Sequence, residues 1–272
     1  MGFIFYFLGI LAFSCKSVPD PAENLVLVDE YDINIKTEYV RLDQLNNLVV
    51  VDDNNFIHRF TDQTFRKFTY NDNTLGKITH IDATDPLKIT IYKKDYGVAI
   101  FLDNTLSEID RINLYEKGFT EIPCLASSND GNLWIYDLTD YRLKKVNNSG
   151  TVILESMSMI DFGHQDITPF YIQERNGKVV LQDANKGVFL FDNLGQYIQQ
   201  FPFKIGQEIQ FDGKNICYLE GGEFVCYHVE LYSEKSIPLD SNKKAGLLNV
   251  KAGDNNLYLI YKEGIDIVPI RS

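Results

Sequence analysis

The chain is poor in several things that would have named a chemistry. It has four His, four Cys, three Met and one Trp in 272 residues. His58, His80, His164 and His228 share no metal-ligand spacing, and no Cys lies beside them in a zinc pattern. There is no G-x-S-x-G elbow, no P-loop and no EF-hand loop. Asp52-Asp53-Asn54-Asn55 has a calcium-loop composition but lacks the spaced acidic ligands and the closing Glu. Turn chemistry accounts for it, because Asn and Asp side chains bond to nearby backbone. No catalytic residue, metal or cofactor is therefore expected. Basic residues are also short, with 26 Lys and Arg against 38 Asp and Glu and a net charge of −12. A nucleic-acid binder needs a basic face, so that class is excluded. The Lys pairs 93–94, 144–145 and 243–244 fall on expected turns and read as solvated surface. No stretch of about 12 residues keeps a helical period, which points away from helical and α/β classes.

What the chain does have is a repeat. Asn47–Phe60 (NLVVVDDNNFIHRF), Asn132–Val146 (NLWIYDLTDYRLKKV) and Gly177–Phe191 (GKVVLQDANKGVFLF) share one pattern. A β-rich apolar run ends in an Asp, a few turn residues follow, and a second apolar run returns. The Asp residues are Asp52, Asp137 and Asp183. Looser copies sit at Lys88–Leu102, Asn215–Val229 and Asn256–Ile270, with Lys93, Glu220 and Lys262 in the Asp position. The mean period of about 42 residues suits a four-stranded propeller blade.

The flanks supply the other two strands of each blade. Inner strands are expected at Thr37–Leu42, Lys77–Ala83, Glu121–Ser127, Asp166–Glu174, Gln207–Phe211 and Gly246–Ala252. Outer strands are expected at Thr64–Tyr70, Leu106–Leu114, Thr151–Met157, Tyr197–Phe203 and Lys235–Leu239. The sixth unit lacks an outer strand, and the N-terminal run Asn24–Tyr31 lacks a blade. Pairing one with the other closes the ring and hides the edges. The fold class is thus all-β: a six-bladed β-propeller over residues 24–272, closed by an N-terminal strand completing the last blade.

Ahead of it, Phe3–Phe13 is an apolar run of 11 residues, too short to span a bilayer and the length of a secretory h-region. Leu11-Ala12-Phe13-Ser14-Cys15 resembles a bacterial lipobox. The resemblance implies a signal peptide at 1–14, an acylated Cys15, and a tether over 15–23. It departs from the pattern in having no Lys or Arg before the h-region and a bulky Phe13. The alternatives are an ordinary signal peptide with an incidental Cys, or a buried first strand. No Asp follows Cys15 directly and no acidic cluster follows it. By resemblance to known lipoprotein sorting signals, this implies an outer-membrane anchor facing the periplasm rather than the cell surface.

Cys217 and Cys226 lie on one hairpin, NICYLE-GG-EFVCYH. A two-residue Gly221-Gly222 turn fixes the register, so Cys217 faces Cys226 on a pair where side chains approach closely. In an oxidising compartment a disulfide is expected; two unpaired core thiols are the alternative. Cys124, in EIPCLASS, reads as a small buried residue near the axis.

The strand–Asp–turn–strand–Phe-Asp–Gly pattern, clearest in Asp183–Gly195 (DANKGVFLFDNLG), resembles the six-bladed NHL and TolB-like propellers. The composition, rich in Asn, Lys, Ile and Tyr, is similar to that of Bacteroidota proteins. The resemblance implies a rigid platform for protein or peptide partners. Its expected surface is the rim of hairpin turns carrying Asp52, Asp53, Lys93, Asp137, Tyr141, Asp183, Lys186, Glu223 and Lys262; a merely solvated rim is the alternative. The expected function is a non-catalytic interaction scaffold, lipid-anchored at the membrane, with an envelope protein partner in an assembly or secretion complex. The alternative is a small-ligand or glycan binder, or a lactonase-type hydrolase using the axis. That type holds calcium with inner-strand acids and amides, and the positions here are Asp43, Asp82, Asn129, Glu174, Asp212 and Asp254.

Overall fold

A computed structural model of the chain describes residues 31–61, 67–239 and 245–270. The expected signal peptide, Cys15, the tether, most of the 24–31 run and the Lys243–Lys244 pair lie outside the described residues. Six four-stranded antiparallel sheets are present. Blade one comprises Thr37–Leu42, Leu48–Asp52, Ile57–Phe60 and Lys67–Tyr70, from the axis outward. Blade two comprises His80–Asp85, Lys88–Lys93, Val98–Leu102 and Glu108–Asn113. Blade three comprises Leu125–Ser127, Leu133–Asp137, Arg142–Val146 and Val152–Glu155. Blade four comprises Tyr171–Arg175, Lys178–Asp183, Gly187–Asp192 and Tyr197–Phe201. Blade five comprises Gln210–Phe211, Asn215–Glu220, Glu223–His228 and Ser233–Pro238. Blade six comprises Leu247–Ala252, Asn256–Tyr261 and Ile265–Pro269, completed by Tyr31–Ile33. The closing strand pairs Tyr31 with Ile267 and Ile33 with Ile265. Closure thus follows the expected scheme, although its described residues begin only at the end of the 24–31 run.

Each second strand is apolar throughout because both faces of a blade are buried. Val49 and Val51 pack into the interface of blades one and two, while Val50 turns to the interface of blades six and one. Leu133 and Ile135 face blade two, while Trp134 and Tyr136 face blade four. Six buried clusters result, one per interface. Trp134 is fully buried, as expected for interblade core. The innermost strand of blade three is shorter than expected, Leu125–Ser127 against 121–127. Pro123 offers no N–H to a ladder, so the segment before it serves as a link.

A second closure runs around the axis through the turns joining first and second strands. The Ser127 N–H donates to Asp82 (2.8 Å), and Ser128 Oγ donates to Glu174 (2.6 Å). Asn176 Nδ2 donates to the Asp212 carbonyl (2.8 Å), and Gln210 Nε2 to the Ala252 carbonyl (2.6 Å). Asn46 Nδ2 donates to Asp254 (2.8 Å), and the Gln44 N–H to the Thr84 carbonyl (3.2 Å). Every neighbouring pair of blades is tied at this end.

Candidate functional site

The axis itself is the first place to look for chemistry. Arg41, on the innermost strand of blade one, reaches across it. Its guanidinium engages the Glu208 carboxylate through both terminal nitrogens, Nη2 at 2.6 Å from Oε1. Nε donates to the Ile81 carbonyl (3.0 Å) and Nη1 to the Val40 carbonyl (3.1 Å). The Tyr171 ring lies against the same guanidinium at 5.5 Å. Lys251 Nζ donates to the carbonyls of Ile209 (2.8 Å) and Glu208 (3.2 Å). His80 sits beside Tyr171 with ring centroids 5.9 Å apart, and its Nε2 has no partner. Above this layer, Tyr171 Oη donates to Gln173, and Gln173 Nε2 donates to Thr84 Oγ1. Side chains from four blades and from the link into blade five therefore fill the middle of the axis.

The charges in the layer constrain one another. Burial and the Arg41 charge hold the His80 imidazole down at about 4, so it is neutral at pH 7. Burial and the same arginine hold the Lys251 ammonium down at about 7. Burial pushes the Glu208 carboxyl up, but Arg41, Lys251 and His80 together hold it below the ordinary carboxylate range. One carboxylate thus serves two cationic groups.

The inner-strand acids are engaged elsewhere. Asp43 accepts from the Leu45 and Asn47 amides, Asn47 Nδ2 and Arg59 Nη2. Asp82 accepts from Thr84 and Ser127, and Glu174 from Ser128, Asn129 and Trp134 Nε1. Asp212 accepts from the Lys214 and Asn215 amides and from Asn215 Nδ2. Among the described residues, no three His, Cys, Asp or Glu side chains gather as a metal site.

The hairpin-turn residues divide. Asp53, Lys186 and Lys262 are exposed, and Asp52, Tyr141 and Glu223 are half-buried. Asp137, Asp183 and Lys93 are buried, which corrects their expected place on the docking rim. The reason is local. Asp183 accepts from the Asn185 and Lys186 amides of its own turn and from the Thr168 amide of the incoming link. Asp52 accepts from the Asn54 and Phe56 amides and pairs with His58 Nε2 at 2.8 Å. Asp137 accepts from the Thr139 amide and Lys144 Nζ. Lys93 does the opposite chemistry at the same position, donating Nζ to the carbonyls of Asp72 and Gly76 in the link before blade two. In blades two and four this position fastens the hairpin turn to the preceding link. Lys144 and Lys145 are likewise buried rather than solvated; Lys145 pairs with Asp130 (2.9 Å) and lies over the Trp134 ring.

Two features escaped sequence reasoning. The links after blades two and three contain short 3-10 turns, Tyr115–Lys117 and Met159–Phe162, fastened beside the hairpin turns by Leu114 N–H to Gly97 O and Met159 N–H to Tyr141 O. They leave Tyr96, Tyr115, Met157, Ile160 and Phe162 exposed along this face. The only sequence signal was apolar residues inside polar connections. The second is a cavity of about 670 Å³ at the opposite end, which opens at the mouth of the axis over Thr84 and Gln173 and runs outward along blade five beside blade six. Leu42, Phe211, Phe224, Leu231, Ile237 and Ala252 line it together with Cys217 and Cys226. Those two cysteines form a disulfide with a Cα separation of 4.1 Å, the close spacing of a non-hydrogen-bonded pair. Cys124 is a buried free thiol, and burial pushes its pKa far up.

The architecture defines the class: a six-bladed β-propeller. No protein-family model matches the chain, and no curated protein is similar to it in sequence at a significant level. Solved structures resemble it in shape. A catalytically inactive variant of virginiamycin B lyase from Staphylococcus aureus, bound to quinupristin, aligns with 8% identity and a TM-score of 0.62, covering 89% of this chain and 99% of the lyase. A protein from Bacteroides fragilis designated an exported protein aligns with 12% identity and a TM-score of 0.56, covering 91% and 97%. BBS1N, in its complex with ARL6DN, aligns with 15% identity and a TM-score of 0.51, covering 91% and 97%. At these identities the likeness speaks for the fold alone.

Proposed function

We propose that this propeller is a non-catalytic interaction scaffold of the NHL/TolB-like kind, anchored through lipid on Cys15 at the periplasmic face of an outer membrane. There it serves as an accessory subunit of an envelope assembly or secretion complex. The observation that carries this reading is the pairing of a filled axis with an exposed aromatic face. Arg41, Glu208, Lys251 and Tyr171 occupy the place where an axial catalytic site would open. Tyr96, Tyr115 and Phe162 stand exposed among charged turns, and aromatic anchors of this kind dominate protein-interface energetics. Among the described residues no helix is long and apolar enough to cross a membrane.

The test is affinity purification of the tagged protein from native membranes after mild cross-linking. Parallel samples carry Cys15→Ala and Tyr96→Ala/Phe162→Ala. Stoichiometric recovery of one membrane complex, weakened by the aromatic pair and displaced from membranes by Cys15→Ala, is the expected result. Recovery of the chain alone in every sample would overturn the reading.

A further inference from the structure

The cavity beside blade five goes beyond the scaffold reading and stands independently of it. Its length follows from strand register. Gln210 pairs with Cys217, Cys217 with Cys226, and Cys226 with Lys235. Residues directly opposite one another share a face, and neighbouring strands lie about 4.8 Å apart, so this row runs about 14 Å from the axis outward. The disulfide forms its middle, and Phe224 and Ile237 flank it on the same face. The floor is therefore long, narrow and apolar.

The polar groups around it are unequally engaged. Asp43 is saturated by its own turn and Arg59, and Asp212 by the amides that follow it. Asp254 accepts from Asn46 at the blade-six end. Gln210 exchanges both its groups with Ala252. Two cationic donors are free, while the amide donors of Gln210, Asn46 and Gln173 are engaged. Arg41, Arg59, Arg111 and Arg142 are all hydrogen-bonded or ion-paired. Arg175, half-buried at the axial end, stands apart among the described arginines, with no such partner. Lys235 is unpaired at the outer end. His228 accepts two amides at Nδ1, which leaves Nε2 as its donor.

The trough has an apolar floor, and Arg175 is the unspent charge at its axial end, while Asp212 and Asp254 are turned to neutral amide donors, so an anion with an apolar body fits best with its headgroup on Arg175. We propose that this cavity binds an amphiphilic anion: one carboxylate-type headgroup on Arg175, and an extended apolar chain of about 10 Å lying along the disulfide row toward Lys235. A half-buried guanidinium gives a stronger, less screened anchor than an exposed ammonium. The volume falls within the usual range for small-ligand sites.

The probe is decanoate, titrated calorimetrically below its micellar range, beside decan-1-ol and decylamine. The expected result is 1:1 decanoate binding at least about tenfold tighter than that of either control, as one charge-assisted contact provides. Arg175→Gln should weaken decanoate about tenfold and leave decan-1-ol unchanged. Ser233→Trp, which adds bulk at an exposed position on the same face, should block all binding while the melting curve stays the same. Lys94→Gln, on the opposite face, should change nothing. No decanoate binding by the folded wild type, decylamine binding as tightly as decanoate, or unchanged affinity in Arg175→Gln would each overturn the proposal.

Discussion

Replacing Glu208 by Gln should cost more stability than removing Arg41, although both changes break the same ion pair. Among the described residues Glu208 is the one acid that ion-pairs directly with Arg41, and it also faces Lys251. In Glu208→Gln the buried Arg41 cation keeps its bonds to Ile81 O and Val40 O but loses its ion-pair partner, leaving only the more distant Asp82, itself held by Thr84 and Ser127. Stranding a buried charge in this way costs about 3–5 kcal/mol. In Arg41→Met the surviving partners are Glu208 and Lys251. Arg41 is one of the two causes holding Lys251 down at about 7, so its removal lets the lysine take up a proton and serve as the new counter-ion. The expected loss is about half as large, on the order of the hydrogen bonds removed. Urea unfolding followed by Trp134 fluorescence and by far-UV circular dichroism reads both values. Trp134 is fully buried between blades three and four, and agreement of the two probes tests for a single transition. Equal losses in the two variants, or a loss below about 1 kcal/mol in Glu208→Gln, would refute this account of the axis.

Three further outcomes follow from other sites. His80 resists protonation until about pH 4, whereas an unfolded chain takes up that proton near 6.5. Its contribution is therefore complete above pH 6.5 and is lost as pH falls toward 4, by about 3 kcal/mol; His80→Leu should flatten that part of the pH–stability curve relative to wild type. Reducing the Cys217–Cys226 bridge, or replacing both cysteines by Ser, should lower stability by about 2–3 kcal/mol, the entropy of so short a loop, measured by melting with and without reductant. At Gly187, φ is +103° and a Cβ would lie 2.1 Å from the Phe201 carbonyl oxygen. Gly187→Ala should therefore cost more than about 2 kcal/mol, and an unchanged melting temperature would contradict the turn geometry.

The sequence could be read wherever a residue's partner was close along the chain. Leu133–Tyr136 announces a doubly buried strand, because alternate side chains enter different interfaces. The Cys217–Cys226 pairing follows from a two-residue turn. Reading failed where the partner lay in another blade or link. Nothing near Lys93 shows that its ammonium will meet the carbonyls of Asp72 and Gly76. Arg41 and Glu208 are 167 residues apart and become neighbours only when the ring forms. Arg175 reads as one more strand-end charge until blade five supplies the trough beside it. Long Lys and Arg side chains are especially hard to place, since their stems can be buried while the head finds a partner.

The pairing of Tyr31–Ile33 with Ile265–Ile267 also sets a timetable. At about 5–20 residues per second of synthesis, the first described strand emerges roughly ten to fifty seconds before its partner exists. During that interval blades one to five can form from local hairpins, but the ring stays an open arc. Its two end faces, built around Val40, Leu48 and Val50 on one side and Cys217 and Phe224 on the other, are left without their blade-six partner. The last blade to be made is thus the one that converts a string of locally folded units into a single cooperative body. A chain stalled before Ile265 would be caught with both of those apolar faces uncovered.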